Sequence, residues 1–441
     1  LNQLQLFLPC AAGVEDYLAE EVHGFTGLQG DDLRVMRGGV MASASWRDAM
    51  LLNLHSRLAQ RVLVQLSHSQ YRNENDLYEA ASAVAWEIWF TTKQTFKVEV
   101  TAQHSPLTSL NFAALKVKDA IADRFRNKRG ERPDVNTHWP DVRIYAHLTT
   151  DTATLYIDTS GEPLFKRGWR EDKGDAPLKE TLAAAMLYAS GWAAQIQEAA
   201  AGNGEAVSLY DPCCGSGTIA IEAAQIACNI APGTLRRFAF EKMLPFQPHV
   251  WTALKDESRA AQVEATVPVF GSDVAFRMVD FAERNAERAG VKGVVQLRGG
   301  DALQRMPPSE TPGVMLLNPP YGERIEPAGV AGAGRGLRGA QRGAATVGHG
   351  REEAQTEDGG EFFSQLATHW KKNYSGWTAW VLTPDLKLPT KMRLKESRRI
   401  PMWNGPIECR LFKFDMIKGS ARAKPPEHQK NELGSDSNSG Q

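Results

Sequence analysis

Val207-Ser-Leu-Tyr-Asp211-Pro-Cys-Cys-Gly215-Ser-Gly217-Thr218-Ile-Ala220 runs from an apolar strand through a carboxylate and a glycine-rich turn into an amphipathic helix. The Gly215-x-Gly217-x-x-Ala220 spacing lets backbone approach a ligand closely and packs the helix tightly on its sheet. Open α/β sheets bind nucleotides at such crossings, beyond the carboxyl ends of their strands. By itself the motif also fits a plain βα turn. A dinucleotide site would put phosphate on the helix N-terminus and a ribose-binding acid about 20 residues on. The next acid at a strand end is Asp273, in Val269-Phe-Gly-Ser-Asp273, much further along. If residues 231–266 are an inserted helical excursion, Asp273 still closes the second strand and can accept from ribose hydroxyls. Asp301, in Gly299-Gly300-Asp301-Ala302, closes the next strand and can hold an adenine amino group. Each acid alone reads as a helix N-cap. Three closing successive strands, with Gly215, Gly217 and Thr218, read as one cofactor site.

Val314-Met-Leu-Leu-Asn318-Pro319-Pro320-Tyr321-Gly322 forms the following strand end. Proline donates nothing to a ladder and fixes φ, so the strand stops in a rigid loop. The Asn318 side-chain oxygen and the Pro319 carbonyl are left to accept hydrogen bonds. Two acceptors converging on an amino group would aim its nitrogen lone pair at an electrophilic methyl, and Tyr321 offers a ring on which a base can stack. Positioning and stabilisation of charge developing on nitrogen would then replace a strong general base.

Outward from these motifs, strand-like and helix-like runs alternate: 207–210, 219–228, 267–271, 274–289, 294–297 and 314–317. Such alternation predicts an α/β, Rossmann-like domain, a mostly parallel sheet with helices on both faces. Upstream, 4–8 and 61–66 are strand-like, 14–22 and 46–58 helix-like, and Gly38-Gly39 is a turn leading into a strand. Phe96–Val100 alternates as a half-buried strand and Ala113–Phe125 has helical spacing. Val142–Leu148 and Thr154–Ile157 form a strand pair turning at Thr150-Asp151, an α+β pattern. The polar, glycine-bearing stretch 161–175 looks like a connector. Residues 328–360, dominated by Gly, Ala and Arg and then by acidic and polar residues, are expected to be a flexible insertion, and 419–441 a disordered tail.

The composition, 42% hydrophobic and 23% charged, is that of an ordinary globular protein. No apolar run approaches the roughly 20 residues of a membrane span, and no signal pattern opens the chain. Because it opens on Leu1, a few native residues are expected to precede it. The five cysteines, Cys10, Cys213, Cys214, Cys228 and Cys409, show neither a CxxC pair nor metal spacing, so reduced thiols in a cytoplasmic protein and no metal are expected. A net charge of −1 means that any nucleic-acid signal must be local.

The paired motifs resemble class I S-adenosylmethionine methyltransferases acting on amino groups. More closely, residues 3 to 415 are similar to the RlmL family of large-subunit (23S) ribosomal RNA guanine-N2 methyltransferases. The likeness is carried by Lys116-Val-Lys-Asp-Ala-Ile121, Lys166-Arg-Gly-Trp-Arg170, Ala176-Pro-Leu-Lys-Glu-Thr-Leu-Ala-Ala184, Asn318-Pro-Pro-Tyr-Gly-Glu-Arg324 and Asn404-Gly-Pro-Ile-Glu-Cys409. It implies a ferredoxin-like N-terminal region at 1–65, a THUMP RNA-binding domain at 66–160 and a methyltransferase domain at 161–418. It further implies S-adenosylmethionine as cofactor, S-adenosylhomocysteine as product, and 23S ribosomal RNA or a large-subunit assembly intermediate as partner. The cofactor role falls on Asp211, Gly215, Gly217, Thr218, Asp273 and Asp301, and the catalytic role on Asn318, Pro319, Pro320 and Tyr321. Two features depart from the family: the insertion directly after the catalytic loop, which would gate or extend the substrate surface, and the end of the chain at 441. The second methyltransferase half fused in some relatives is therefore not expected, and with it only one methylation chemistry.

For RNA contact the candidates are Arg124, Arg126, Lys128 and Arg129 at the end of the 113–125 helix, together with Arg132, and Lys166, Arg167 and Arg170 at the connector. A second basic run holds Lys387, Lys391, Arg393, Lys395, Arg398 and Arg399. Either run also fits a merely solvated face, and Phe238, Phe240, Phe246 and Trp251 fit core anchors better than stacking platforms. An N6-adenine methyltransferase on DNA, a guanine-N2 methyltransferase on tRNA, and a non-enzymatic RNA-binding or assembly protein with a relic cofactor site are the alternatives. The upstream module disfavours DNA, and the intact acids, glycines and Asn-Pro-Pro-Tyr disfavour a relic.

Overall fold

The computed structural model describes residues 3–174, 177–320 and 357–417, with side chains from 360 onward in the last segment. Tyr321, Gly322-Glu323-Arg324, most of the expected insertion and the expected tail lie outside the described residues. The part of the insertion inside them is a correction, because 357–360 already belong to the helix Glu357–Asn373. Phe363, Leu366, Ala367 and Trp370 of that helix are buried, and their spacing of three and four holds it on the sheet behind it.

Seven strands build the first sheet: β1 (Leu4–Pro9), β2 (Leu33–Met36), β3 (Gly39–Ala44), β4 (Leu63–Gln70), β5 (Phe96–Ala102), β6 (Val142–Leu148) and β7 (Thr152–Asp158), in the order β2-β3-β1-β4-β7-β6-β5. Neighbours are antiparallel except β5 and β6, which run parallel. A parallel pair needs a crossover, and the helix Leu110–Arg129 supplies it. This helix outruns the expected 113–125 because Ser109 Oγ caps the Phe112 N–H at 3.2 Å and Gly130, at φ 74°, closes the other end. β4 pairs with β1 through Leu63 and Val64 and with β7 along its whole length. The sheet therefore runs unbroken across the 65/66 boundary.

The second sheet contains β8 (Leu209–Asp211), β9 (Val269–Asp273), β10 (Val295–Gly299), β11 (Val314–Leu317), β12 (Thr378–Thr383), β13 (Arg398–Asn404) and β14 (Ile407–Asp415), in the order β10-β9-β8-β11-β12-β14-β13. The first five are parallel, and β14 returns antiparallel between β12 and β13. Both faces are packed, and the faces alternate residue by residue. Leu209, Val269, Leu316 and Trp380 join the core shared with the N-terminal half, whereas Tyr210, Phe270, Met315, Leu317 and Val381 join a second cluster under Trp370 and Phe412. The strand order reverses between β8 and β11, with successive strands added on opposite sides of this point, so their carboxyl ends flank a cleft. The excursion after the helix Thr218–Ala227 holds the helix Pro248–Ala260, and its Phe238, Phe240 and Trp251 are core anchors, with Trp251 edge-on to Phe240 at 4.9 Å.

A buried ion cluster ties the halves together. Glu222, fully buried in the helix Thr218–Ala227, accepts from Arg167 Nε at 3.1 Å and Nη2 at 3.2 Å, with Arg57 Nη1 3.7 Å away. Arg167 also donates to the Leu164 and Arg57 carbonyls, and the Arg57 N–H donates to Glu21 at 2.5 Å. Arg167 is only 2% exposed, so its expected contact with RNA is corrected: the connector turns this guanidinium inward, against Glu222. Arg167→Met should strand Glu222 and destabilise the chain by about 3–5 kcal/mol, read from urea midpoints, while adding Glu222→Leu should recover much of that loss. An Arg167→Met protein of unchanged stability would show that the cluster does not hold the halves.

Candidate functional site

The glycine turn after β8 places the site. Gly215 and Gly217 take φ of 52° and 93°, left-handed values that side chains resist. At Gly217 there is also no room, since a Cβ would stand 3.0 Å from the Ala282 Cβ. The turn is held from below by the Cys214 N–H donating to the Ser272 carbonyl at 2.9 Å.

The three expected acids lie at the ends of β8 and β9 and just past β10, and each spends only part of its capacity on its own loop. Asp211 Oδ1 accepts from Cys213 N–H at 2.9 Å. Asp273 accepts from Gly215 N–H at 3.0 Å and Ala275 N–H at 2.9 Å, which links the first two strand ends directly. Asp301 Oδ1 accepts from Leu303 N–H at 2.9 Å. A carboxylate offers about four acceptor positions, so all three retain acceptors for a ligand. Burial pushes Asp211 up to about 8, with the Asp273 charge adding to the effect, and burial raises Asp273 as well. Burial and the same acids lift the Cys213 and Cys214 thiols, so both are neutral packing groups. All five cysteines are free, and among the described residues no cluster of potential metal ligands occurs.

Asn318 follows β11, next to β8. Its Oδ1 is buried and has no hydrogen-bond partner among the described residues, although a buried acceptor left unpaired costs about 1–3 kcal/mol. Pro319 beside it is buried and Pro320 exposed. The cleft thus presents an acceptor held in place for a donor that none of the described residues supplies.

Two apolar residues at this site are not evident from motif spacing. Val274 and Phe276, just after Asp273, are 55% and 80% exposed. The Phe276 ring lies against Gly299, where a Cβ would come within 2.6 Å of its Cε1. Glycine at 299 therefore makes space for an aromatic ring between the second and third acids, as a planar adenine contact would require. The absence of a Cβ in Gly299-Gly300-Asp301 was the one visible signal.

The RNA candidates divide. Arg124 makes a two-pronged pair with Glu87 at 3.1 and 2.7 Å and also donates to the Ser82 carbonyl, so its guanidinium fastens the helix to the preceding turn. Lys166 pairs with Glu162. Arg126 is exposed, with Asp123 at 4.0 Å, and Lys128 and Arg129 are exposed beside it. In the second basic run, Lys391 pairs with Asp385 and Arg399 with Glu396. Thr218 Oγ1 and Ser216 Oγ are met by Arg170, which also pairs with the buried Glu180 at 2.7 Å.

Residues 5–63 match the RlmL ferredoxin-like domain, 71–158 the THUMP domain, and 167–332 an RMKL-like methyltransferase domain. Proteins named ribosomal RNA large subunit methyltransferase K/L are similar: that of Psychromonas ingrahamii is 35% identical over 93% of this chain and 50% of its own length. The Shewanella amazonensis protein of the same name is 34% identical over 95% of this chain and 54% of its own. The chain spans about half the length of these curated relatives. Among solved structures, one described as a methyltransferase complexed with SAH superposes with a TM-score of 0.78 at 26% identity, covering 96% of this chain and 100% of that one. A Listeria monocytogenes protein, named a predicted N6-adenine-specific DNA methylase, superposes at 0.75 with 27% identity, over 93% of this chain and 96% of its own. Along its length the chain thus matches, in order, the models of the RlmL ferredoxin-like domain, the THUMP domain and the RMKL-like methyltransferase domain.

Proposed function

We propose that this chain transfers a methyl group from S-adenosylmethionine to the exocyclic N2 of a guanine in large-subunit (23S) ribosomal RNA, in the cytoplasm. One observation carries the reading: the buried Asn318 Oδ1, without a hydrogen-bond partner among the described residues, in a sheet whose neighbouring strand ends carry a glycine turn and three acids with acceptors to spare. Those acceptors suit ribose hydroxyls, an adenine amino group and an ammonium; Gly215, where a Cβ would meet nothing within 4 Å, leaves open space before the turn, and Phe276 provides the apolar face that an adenosyl group needs. Bound there, the cofactor supplies an electrophilic methyl on a sulfonium.

Asn318 Oδ1 and the Pro319 carbonyl accept the two N–H bonds of the target amino group, which holds its lone pair toward the methyl carbon. The bound cofactor would supply the methyl carbon and retain the leaving electron pair on sulfur; Asn318 and Pro319 would hold the amino nitrogen in line until its proton passed to water. Low-dielectric burial of Asn318 raises the value of each acceptor as positive charge grows on nitrogen. Tyr321 is assigned to stacking on the extruded base, and Arg126, Lys128 and Arg129 to RNA phosphates. An N6-adenine reaction on DNA could use the same acceptors, so the substrate assay carries DNA as a separate arm.

Labelled methyl should enter ribosomal RNA from cells lacking this protein, and not DNA or tRNA; labelling of DNA alone would overturn the reading. Asn318→Ala should lower turnover by roughly 10²–10³-fold, on the scale of losing one transition-state acceptor, with cofactor affinity nearly unchanged in calorimetry. Equal loss of cofactor affinity would remove Asn318 from catalysis. Asp211 gives a prediction of opposite signs. Its folded pKa of about 8 lies above that of an unfolded aspartate, so the folded state holds more protons between those values and stability falls as pH rises toward 8. Asp211→Asn should therefore raise the melting temperature at neutral pH while weakening cofactor binding; a lowered melting temperature would show that the carboxyl is ionised and satisfied.

A further inference from the structure

Arg170 reaches from the connector into the glycine turn. Its Nε donates to Glu180 Oε1 at 2.7 Å, Nη1 to Ser216 Oγ at 2.5 Å and Nη2 to Thr218 Oγ1. Glu180 is buried at the start of the helix Glu180–Ala189, and the guanidinium lies 4.9 Å from the Trp169 ring centroid. Neighbouring contacts hold the same piece of chain: Asn285 Nδ2 donates to the Ser216 carbonyl at 3.1 Å and to the Asp172 carbonyl at 2.8 Å. A buried carboxylate thus fixes a fork whose other two prongs end on the hydroxyls flanking Gly217.

Guanidinium has donors only, so both hydroxyls must accept from it. Each keeps its own O–H proton, and neither proton has an acceptor among the described residues. Left alone, a serine or threonine hydroxyl rotates and serves as donor or acceptor. Between Arg170 and an anion, it can only donate outward. We propose that Arg170 is a positioning residue that locks Ser216 and Thr218 as paired donors for the amino-acid carboxylate of the cofactor. The inference rests on the cofactor reading above and names the half of the ligand that the three acids cannot hold, because acids repel a carboxylate.

The test compares two ligands that share the adenosyl thioether and differ in the amino-acid portion: S-adenosylhomocysteine and 5′-methylthioadenosine, each titrated calorimetrically into the full chain. Arg170→Met should weaken S-adenosylhomocysteine at least tenfold and leave methylthioadenosine within about twofold, with Arg170→Lys intermediate. Ser216→Ala with Thr218→Val, which leaves Arg170 in place, should reproduce the selective loss and decides the matter if Arg170→Met does not fold. Equal loss of both ligands would reduce Arg170 to a structural tie. Selective loss in Arg170→Met but not in the double hydroxyl variant would overturn the donor assignment. If the unaltered chain binds neither ligand, the cofactor reading itself fails.

Discussion

One fully buried carboxylate, Glu222, governs how the rest of the chain is arranged. It stands one turn inside the helix that begins at the glycine turn, and such a charge is tolerated only when its partners are brought to it. Both partners come from outside the second sheet, Arg57 from beside the first sheet and Arg167 from the connector. The helix that sets the ligand turn therefore also sets where the N-terminal half docks. Desolvating three charges together makes the arrangement specific, since any alternative docking leaves at least one of them buried alone.

From that anchor the cleft follows with little freedom. The helix fixes Gly217, Arg170 and Asn285 hold the turn from the connector side, and Asp273 joins the ends of β8 and β9 through the Gly215 N–H. Across the switch point, Asn318 needs only the two prolines that end β11. The residues nearest the reaction owe their places to hydrogen bonds made elsewhere, as preorganisation requires.

Sequence reasoning found the parts of this site that are written locally. Strand, acid and glycine turn are contiguous, and Asn318-Pro-Pro is a short string whose backbone consequences follow from proline alone. The α/β alternation was readable because both faces of β8, β9 and β11 are packed and the runs are short and apolar. Pairings between distant residues were not readable. Arg167 and Arg124 read as surface cations because each stands among other basic residues, and Glu222 and Glu87 meet them only through the fold. Phe276 was absorbed into an amphipathic helix, and its exposure becomes meaningful only beside Gly299. The placing of β14, antiparallel between β12 and β13, is likewise a long-range pairing that nothing local announces.

The strand β4, with β1 on one edge and β7 on the other, has a mechanical consequence. A hydrogen-bonded ladder is stiff in its own plane, so the first and second modules behave as one plate with no joint between them. The connector that follows, where an elbow would be expected, is riveted by Arg167 and Arg170 to the helix and turn beyond it. Among the described residues, these ties join the connector firmly to the second sheet's helix and turn. Should the proposed RNA lie across the plate with its target base in the cleft, the RNA is the member that would have to bend.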